Sequence, residues 1–96
     1  MSLPVPEKNG RQTILVIDDV PMICKVLKKQ LEHWGYRALT AVSGEDGIAL
    51  AQQEAPDLIL LDVLMPRMKG REVCAKLKSH TRTEGIPVIF LTALGL

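Results

Sequence analysis

Apolar residues along this chain fall into short unbroken runs separated by helical-period segments. The most distinct run is Leu58-Ile59-Leu60-Leu61, which leads straight into Asp62 and then Val63-Leu64-Met65-Pro66. A continuous apolar run bounded by turn signals suits a strand covered on both faces of a parallel sheet. Pro56 and Pro66 leave too few residues between them for a stable helix. A similar run, Ile14-Leu15-Val16-Ile17, predicts a strand over Thr13–Ile17 that ends in Asp18-Asp19. Tyr36–Ala41 predicts a second strand, more polar and so nearer an edge. Val88-Ile89-Phe90-Leu91 predicts a fourth buried strand, followed by Thr92-Ala93.

Between these runs the period changes to that of a helix. Ile23, Val26, Leu27, Leu31 and Trp34 recur at helical spacing, so residues 21–34 are predicted to form an amphipathic helix. Lys25, Lys28, Lys29 and Glu32 fall largely on its wet side. Pro21 suits the first turn and Gly35 the C-terminal stop. Ser43 is the N-cap expected for a second helix running to about Glu54, with Glu45 and Asp46 in its first turn and Ile48 and Ala51 inward. Gly47 should weaken that helix by up to ~1 kcal/mol relative to Ala. A third helix covers about Arg71–Ser79, with Val73 and Leu77 inward, and His80–Gly85 reads as a loop. Residues 1–12, with Pro4, Pro6 and Gly10, read as a flexible leader.

The resulting order is β-α-β-α-β-α-β. Strands and helices alternating at this spacing imply parallel strands joined by helical crossovers, an α/β doubly wound parallel sheet. No repeat or internal domain boundary interrupts it.

Composition narrows the function classes. The 96 residues support one small domain. Aromatic content is 3%, too little for a platform on which bases stack. A formal net charge of +1 supplies no overall field for DNA or anionic lipid. No stretch approaches the ~20 apolar residues of a membrane span, and no signal peptide is visible. Cys24 and Cys74 lack metal-ligand spacing and read as small buried or half-buried thiols in a reducing compartment. The expected location is the cytoplasm.

Three of the strands end in oxygen-bearing side chains: Asp18 and Asp19 after the first, Asp62 after the third, Thr92 after the fourth. Singly, each has an ordinary explanation. Asp18 and Asp19 would cap the next helix, Asp62 would form a turn, and Thr92 would satisfy a backbone group. Jointly they make a specific pattern, because parallel strands put their C-terminal ends on one edge, where ligands of open α/β folds bind. Three carboxylates in one pocket repel, so either some are protonated or a cation sits among them. Hard oxygen donors with room left for water match Mg²⁺ better than zinc. Asp62 could then attack phosphorus and form an aspartyl phosphate, with a hydroxyl such as Thr92 on a phosphoryl oxygen.

These segments resemble the receiver domain of bacterial two-component response regulators. The matching stretches are Ile14-Leu15-Val16-Ile17-Asp18-Asp19, the run from Asp57 through Asp62 and Met65-Pro66 to Lys69-Gly70, and Ile86-Pro87-Val88-Ile89-Phe90-Leu91-Thr92-Ala93. The resemblance spans about Thr13 to Thr92 and implies a flavodoxin-like (CheY-like) fold. It implies that Asp62 accepts a phosphoryl group from a sensor histidine kinase. It implies that Asp19 binds Mg²⁺ directly, Asp18 mainly through water, and the backbone carbonyl of Leu64 as a further ligand. Thr92 would be the switch hydroxyl, and the small Ala93 would leave room for the donor. Arg67 and Lys69 follow the pocket in sequence, as phosphodonor-attracting or simply solvated charges. Lys25, Lys28 and Lys29 resemble the face on which kinases dock in this family, and equally a plain solvated helix face.

Receivers of this kind continue for a further helix, strand and helix, and carry a Lys beyond the switch residue. No Lys follows Thr92 in these 96 residues. Residues 13–96 are therefore expected to form a partial receiver domain, a fragment of a longer regulator. The expected partners are a histidine kinase and an output domain or downstream protein, with no direct nucleic acid and no membrane. Self-association through an exposed sheet edge is also expected. The leading reading is a phosphorylation-dependent switch rather than an enzyme acting on external substrate. Two alternatives stand beside it. One is a phosphorylation-independent interaction module. The other is a Mg²⁺-dependent phosphohydrolase of the haloacid dehalogenase type, although Asp18-Asp19-Val20 lacks that family's second Asp two residues on.

Overall fold

The computed structural model describes residues 11–91. Seven elements follow in the expected order: β1 (Thr13–Ile17), α1 (Pro21–His33), β2 (Arg37–Ala41), α2 (Gly44–Glu54), β3 (Leu58–Asp62), α3 (Gly70–Lys78) and β4 (Val88–Leu91). The four strands form one sheet in the order β2-β1-β3-β4. All pairs are parallel, with Ile17 opposite Leu61 and Asp62 opposite Leu91. The first ten residues of the expected leader lie outside the described residues.

The two-residue period of the strands divides the core between the two faces. Leu15, Ile17, Ile59 and Leu61 point to one side, where Ala51 of α2 and Val73 and Leu77 of α3 cover them. Ile14, Val16, Leu58 and Leu60 point to the other, against Cys24 and Leu31 of α1. Because β1 and β3 are covered on both faces, all eight of these strand residues are buried, which accounts for their unbroken apolar runs.

Local signals fix the helix ends. The Ser43 hydroxyl accepts a hydrogen bond from the Asp46 amide at 3.1 Å, capping α2. Gly35 takes a φ of 95°, and the Tyr36 amide returns to the Leu31 carbonyl at 3.0 Å, which closes α1 where the sequence places its stop. Among the described residues no helix is long and apolar enough to cross a membrane. Cys24 is buried and Cys74 half-buried, both as free thiols.

Two packing expectations are corrected. Val26 and Trp34 are 57% and 56% exposed rather than inward. The face of α1 that meets the sheet is set by Cys24, Leu27 and Leu31, three and seven residues apart, and Trp34 already lies beyond the last helical residue. β4 is not buried. Val88, Ile89 and Leu91 are only partly covered and Phe90 is 41% exposed, because β4 is the edge strand beyond β3 in the described sheet.

Candidate functional site

β1 and β3 are adjacent and parallel, so their C-terminal ends reach the same rim. Asp18 and Asp19 leave β1 there, and Asp62 is the last residue of β3. Each of the three offers a carboxylate oxygen, and these oxygens all lie within 4.8 Å of one another. Residues 44 positions apart in the chain thus share one pocket because the strands that precede them are register partners.

The backbone holds these acids in place. Asp18 is 2% exposed. Its amide donates to the Ala41 carbonyl at 3.0 Å, extending the ladder towards β2, and its Oδ1 accepts from the Val20 amide at 2.9 Å. Asp62 repeats the device, its Oδ1 accepting from the Leu64 amide at 3.1 Å. An Asp bonding the amide two residues on is a turn-forming habit of this side chain. The ordinary and the functional readings of these acids therefore hold together: the turn aims the carboxylate. Asp19 is half-buried beside them.

Burial pushes the Asp62 carboxyl above the usual value of 3.8, and the charges of Asp18 and Asp19 push it further, against the lowering effect of the Leu64 amide. Asp18 is raised first by burial and then by Asp19, with the Val20 amide opposing. Every charged group that shifts Asp62 is another carboxylate. Two acids raised by burial and by each other's charge in one cleft are the environment that a positive ligand relieves. The same surroundings raise Cys24, whose thiol donates to the Asp18 carbonyl at 3.3 Å; burial is the main cause and the Asp18 charge the second. Both effects favour the neutral thiol over the thiolate.

Around the acids, Arg67 and Asp19 line one cleft together with Met65 and Pro66. The basic loop thus lies beside the carboxylates in space as well as in sequence. Lys69 is the N-cap of α3 and exposed. Lys25, Lys28 and Lys29 are exposed along α1. Leu64 turns its side chain outward, 68% exposed, while its backbone stays bonded to Asp62. Thr92 and Ala93 lie outside the described residues. Leu91, the residue before Thr92, is the register partner of Asp62.

The model of the response regulator receiver domain matches residues 14–95. The chain belongs to that family. As a response regulator receiver domain, it takes its place in two-component signalling. Among the curated relatives, the receiver domain is 49% identical over 82 residues to the DNA-binding dual master transcriptional regulator RpaA of Synechocystis sp., covering 85% of this chain and 34% of that protein. It is 44% identical over 81 residues to the response regulator PleD of Caulobacter vibrioides, covering 84% of this chain and 18% of that one. The chain thus spans about a third or less of these relatives' length.

Solved structures agree with the fold. The N-terminal domain of a response regulator receiver protein from Methanoculleus marisnigri superposes with a TM-score of 0.82 at 47% identity, over 84% of this chain and 66% of that one. The receiver domain of a sensor histidine kinase from Pseudomonas aeruginosa gives 0.82 at 28% identity, over 91% and 71%. That structure has a magnesium ion coordinated in its active-site cleft.

Proposed function

We propose that this receiver domain is a phosphorylation-dependent switch in which Asp62 accepts a phosphoryl group from the histidine of a sensor kinase. The observation that carries this reading is the meeting of the Asp18, Asp19 and Asp62 carboxylates at the C-terminal rim of the sheet. The family match favours it over a phosphohydrolase.

The donor set fits a magnesium ion. It consists of oxygen alone, it is anionic, and burial and mutual repulsion have already raised two of its members. Asp19 and Asp62 would hold the ion directly, Asp18 mainly through water, and the Leu64 carbonyl would complete the protein's share. When bound, the ion neutralises charge between an anionic nucleophile and an anionic phosphoryl group. The rest falls to the chain. An Asp62 carboxylate oxygen attacks phosphorus, the bond from phosphorus to the donor's nitrogen breaks, and the departing imidazole takes up a proton. The Leu64 amide keeps the other face of the carboxylate fixed, so the attacking oxygen needs no reorientation. Thr92, next to the residue paired with Asp62, would bind a phosphoryl oxygen and carry the change outward to an output domain or downstream protein.

The reading is tested by incubating the chain with acetyl phosphate and Mg²⁺ and following intact mass. Mass gain confined to Asp62, dependent on Mg²⁺ and absent in Asp62→Asn, is the expected result. Steady release of phosphate from varied monoesters would instead indicate the phosphohydrolase. No gain and no release would leave a module that works without phosphorylation.

The β4 edge bears on partners. Among the described residues β4 is an edge strand with half-covered apolar side chains, and such an edge is a template for another strand. The chain of 96 residues is expected to self-associate at micromolar concentration through this edge. Light scattering that returns a monodisperse single-chain mass counts against it.

A further inference from the structure

We propose that Gly70 is a positioning residue for Asp62, a role that rests on the phosphoacceptor reading above. Gly70 opens α3, and its amide donates to the Val63 carbonyl at 3.1 Å, so the loop that leaves β3 closes back on the end of that strand. The approach is extremely tight. A β-carbon on Gly70 would stand 2.5 Å from the Asp62 carbonyl oxygen, 2.8 Å from the Val63 Cα and 3.2 Å from the Asp62 carbonyl carbon. All three atoms are backbone.

Conformation does not explain the glycine. Among the described residues the glycine with a positive φ is Gly35, so Gly70 occupies ordinary backbone space that alanine also adopts. Helix propensity would even favour alanine. What remains is distance: α3 starts so close to the end of β3 that only a hydrogen fits between them. Gly44 shows the contrast. A β-carbon there would meet the Val73 Cγ2 at 2.7 Å and the Met68 Sδ at 3.0 Å, side-chain atoms of the core rather than backbone of the strand that carries an acid. The Asp62 and Val63 backbone cannot turn aside without moving the residue that bears the carboxylate.

The consequence falls on the site. Asp18 and Asp19 are held by β1, whereas Asp62 is held by β3 and by the amide of Leu64. A side chain at position 70 presses directly on the second group and on β1 only through the sheet, so it changes the spacing between the acids more than it displaces the pocket as a whole. Sites of this kind lose function when their ligands move by a fraction of an ångström.

The test compares Gly70→Ala with Ile86→Val, a core change remote from the acids, in the chain of 96 residues. Circular dichroism and urea midpoints establish that both fold and by how much each is weakened. Two readouts then separate positioning from general loss of stability. The first, without metal, is the hydrogen-exchange protection of the Leu64 amide, which reports its bond to Asp62. The second is Mg²⁺ affinity by titration. Gly70→Ala is expected to lose Leu64 protection and to weaken Mg²⁺ binding by about tenfold or more, as second-layer changes commonly do. Ile86→Val is expected to alter neither. Unchanged Leu64 protection with Mg²⁺ affinity within twofold of the parent would overturn the assignment. So would a Gly70→Ala chain that fails to fold even in a stabilising osmolyte, since Gly70 would then be a purely structural residue. If the parent chain itself binds no Mg²⁺, the phosphoacceptor reading fails, and Leu64 protection alone decides the positioning of Asp62.

Discussion

Replacing Asp62 by asparagine is expected to make the metal-free protein more stable while it ends phosphoryl uptake. Three carboxylates within 4.8 Å of one another repel, and one of them is buried. A like-charge pair at about 4 Å costs roughly 1 kcal/mol in water and about 4 kcal/mol at an effective dielectric constant of 20. The asparagine Oδ1 can still accept the Leu64 amide, so the turn survives and only the charge is lost. A gain of about 1–2 kcal/mol should raise the melting temperature by about 4–8 °C per kcal/mol in a domain of this size. The pH dependence follows from the same repulsion. Asp18 and Asp62 are both raised above 3.8 in the folded protein, so the folded state holds their protons more tightly than the unfolded chain does. Their contribution therefore favours folding at low pH and is lost as pH rises from 3.8 through their raised values. Magnesium should reverse the order of the two proteins. At a hundred times its dissociation constant a ligand adds about 2.7 kcal/mol, and the asparagine variant, one charged donor short, should gain less. Thermal melts in EDTA and in Mg²⁺ measure all of this. An asparagine variant less stable than the parent in EDTA would mean that the acids do not repel as described.

The same site shows what the sequence could and could not disclose. Strand position and burial were legible because β1 and β3 are covered on both faces, so their apolar runs are unbroken and stop at the acids. Meeting of the acids followed from parallelism alone, since adjacent parallel strands end on one rim. Ser43 and Gly35 were legible because a cap and a left-handed stop each demand a narrow residue type. The face of α1 was less so. Ile23, Val26, Leu27, Leu31 and Trp34 admit two overlapping stripes, and the choice that turns Cys24 inward and Val26 outward depends on where the sheet lies, which no period reveals. Thr83 falls in the stretch His80–Gly85 that reads as a loop. It is fully buried, its hydroxyl donating to the Leu77 carbonyl at 2.6 Å at the end of α3. A Thr in a polar loop carries no sign of that partner. Gly70 lies just before the helix start that the sequence places at about Arg71, and its closeness to β3 is a property of packing and not of local sequence.

Gly47 is the sharpest case, because its sign reverses. Judged by helix propensity, Gly47→Ala should stabilise α2 by up to about 1 kcal/mol. In the folded protein the added methyl would meet the Ile17 side chain, with Cγ1 at 2.7 Å, Cγ2 at 3.1 Å and Cδ1 nearer still. Ile17 is fully buried and ends β1 directly before Asp18, so it has no solvent to turn into. Either its rotamer strains or α2 lifts from the sheet, and overpacking of this kind costs about 1–3 kcal/mol. Packing therefore outweighs propensity, and Gly47→Ala should destabilise by about 1–2 kcal/mol net, a fall of several degrees in melting temperature. Shortening the opposing side chain supplies the check. Ile17→Val alone should cost about 0.5–1.5 kcal/mol, but combined with Gly47→Ala it should cost less than the sum, by a coupling of about 0.5 kcal/mol or more. Urea denaturation of the four proteins measures that coupling. Additive losses, or a Gly47→Ala protein more stable than the parent, would show that α2 has room against β1 and that propensity decides after all.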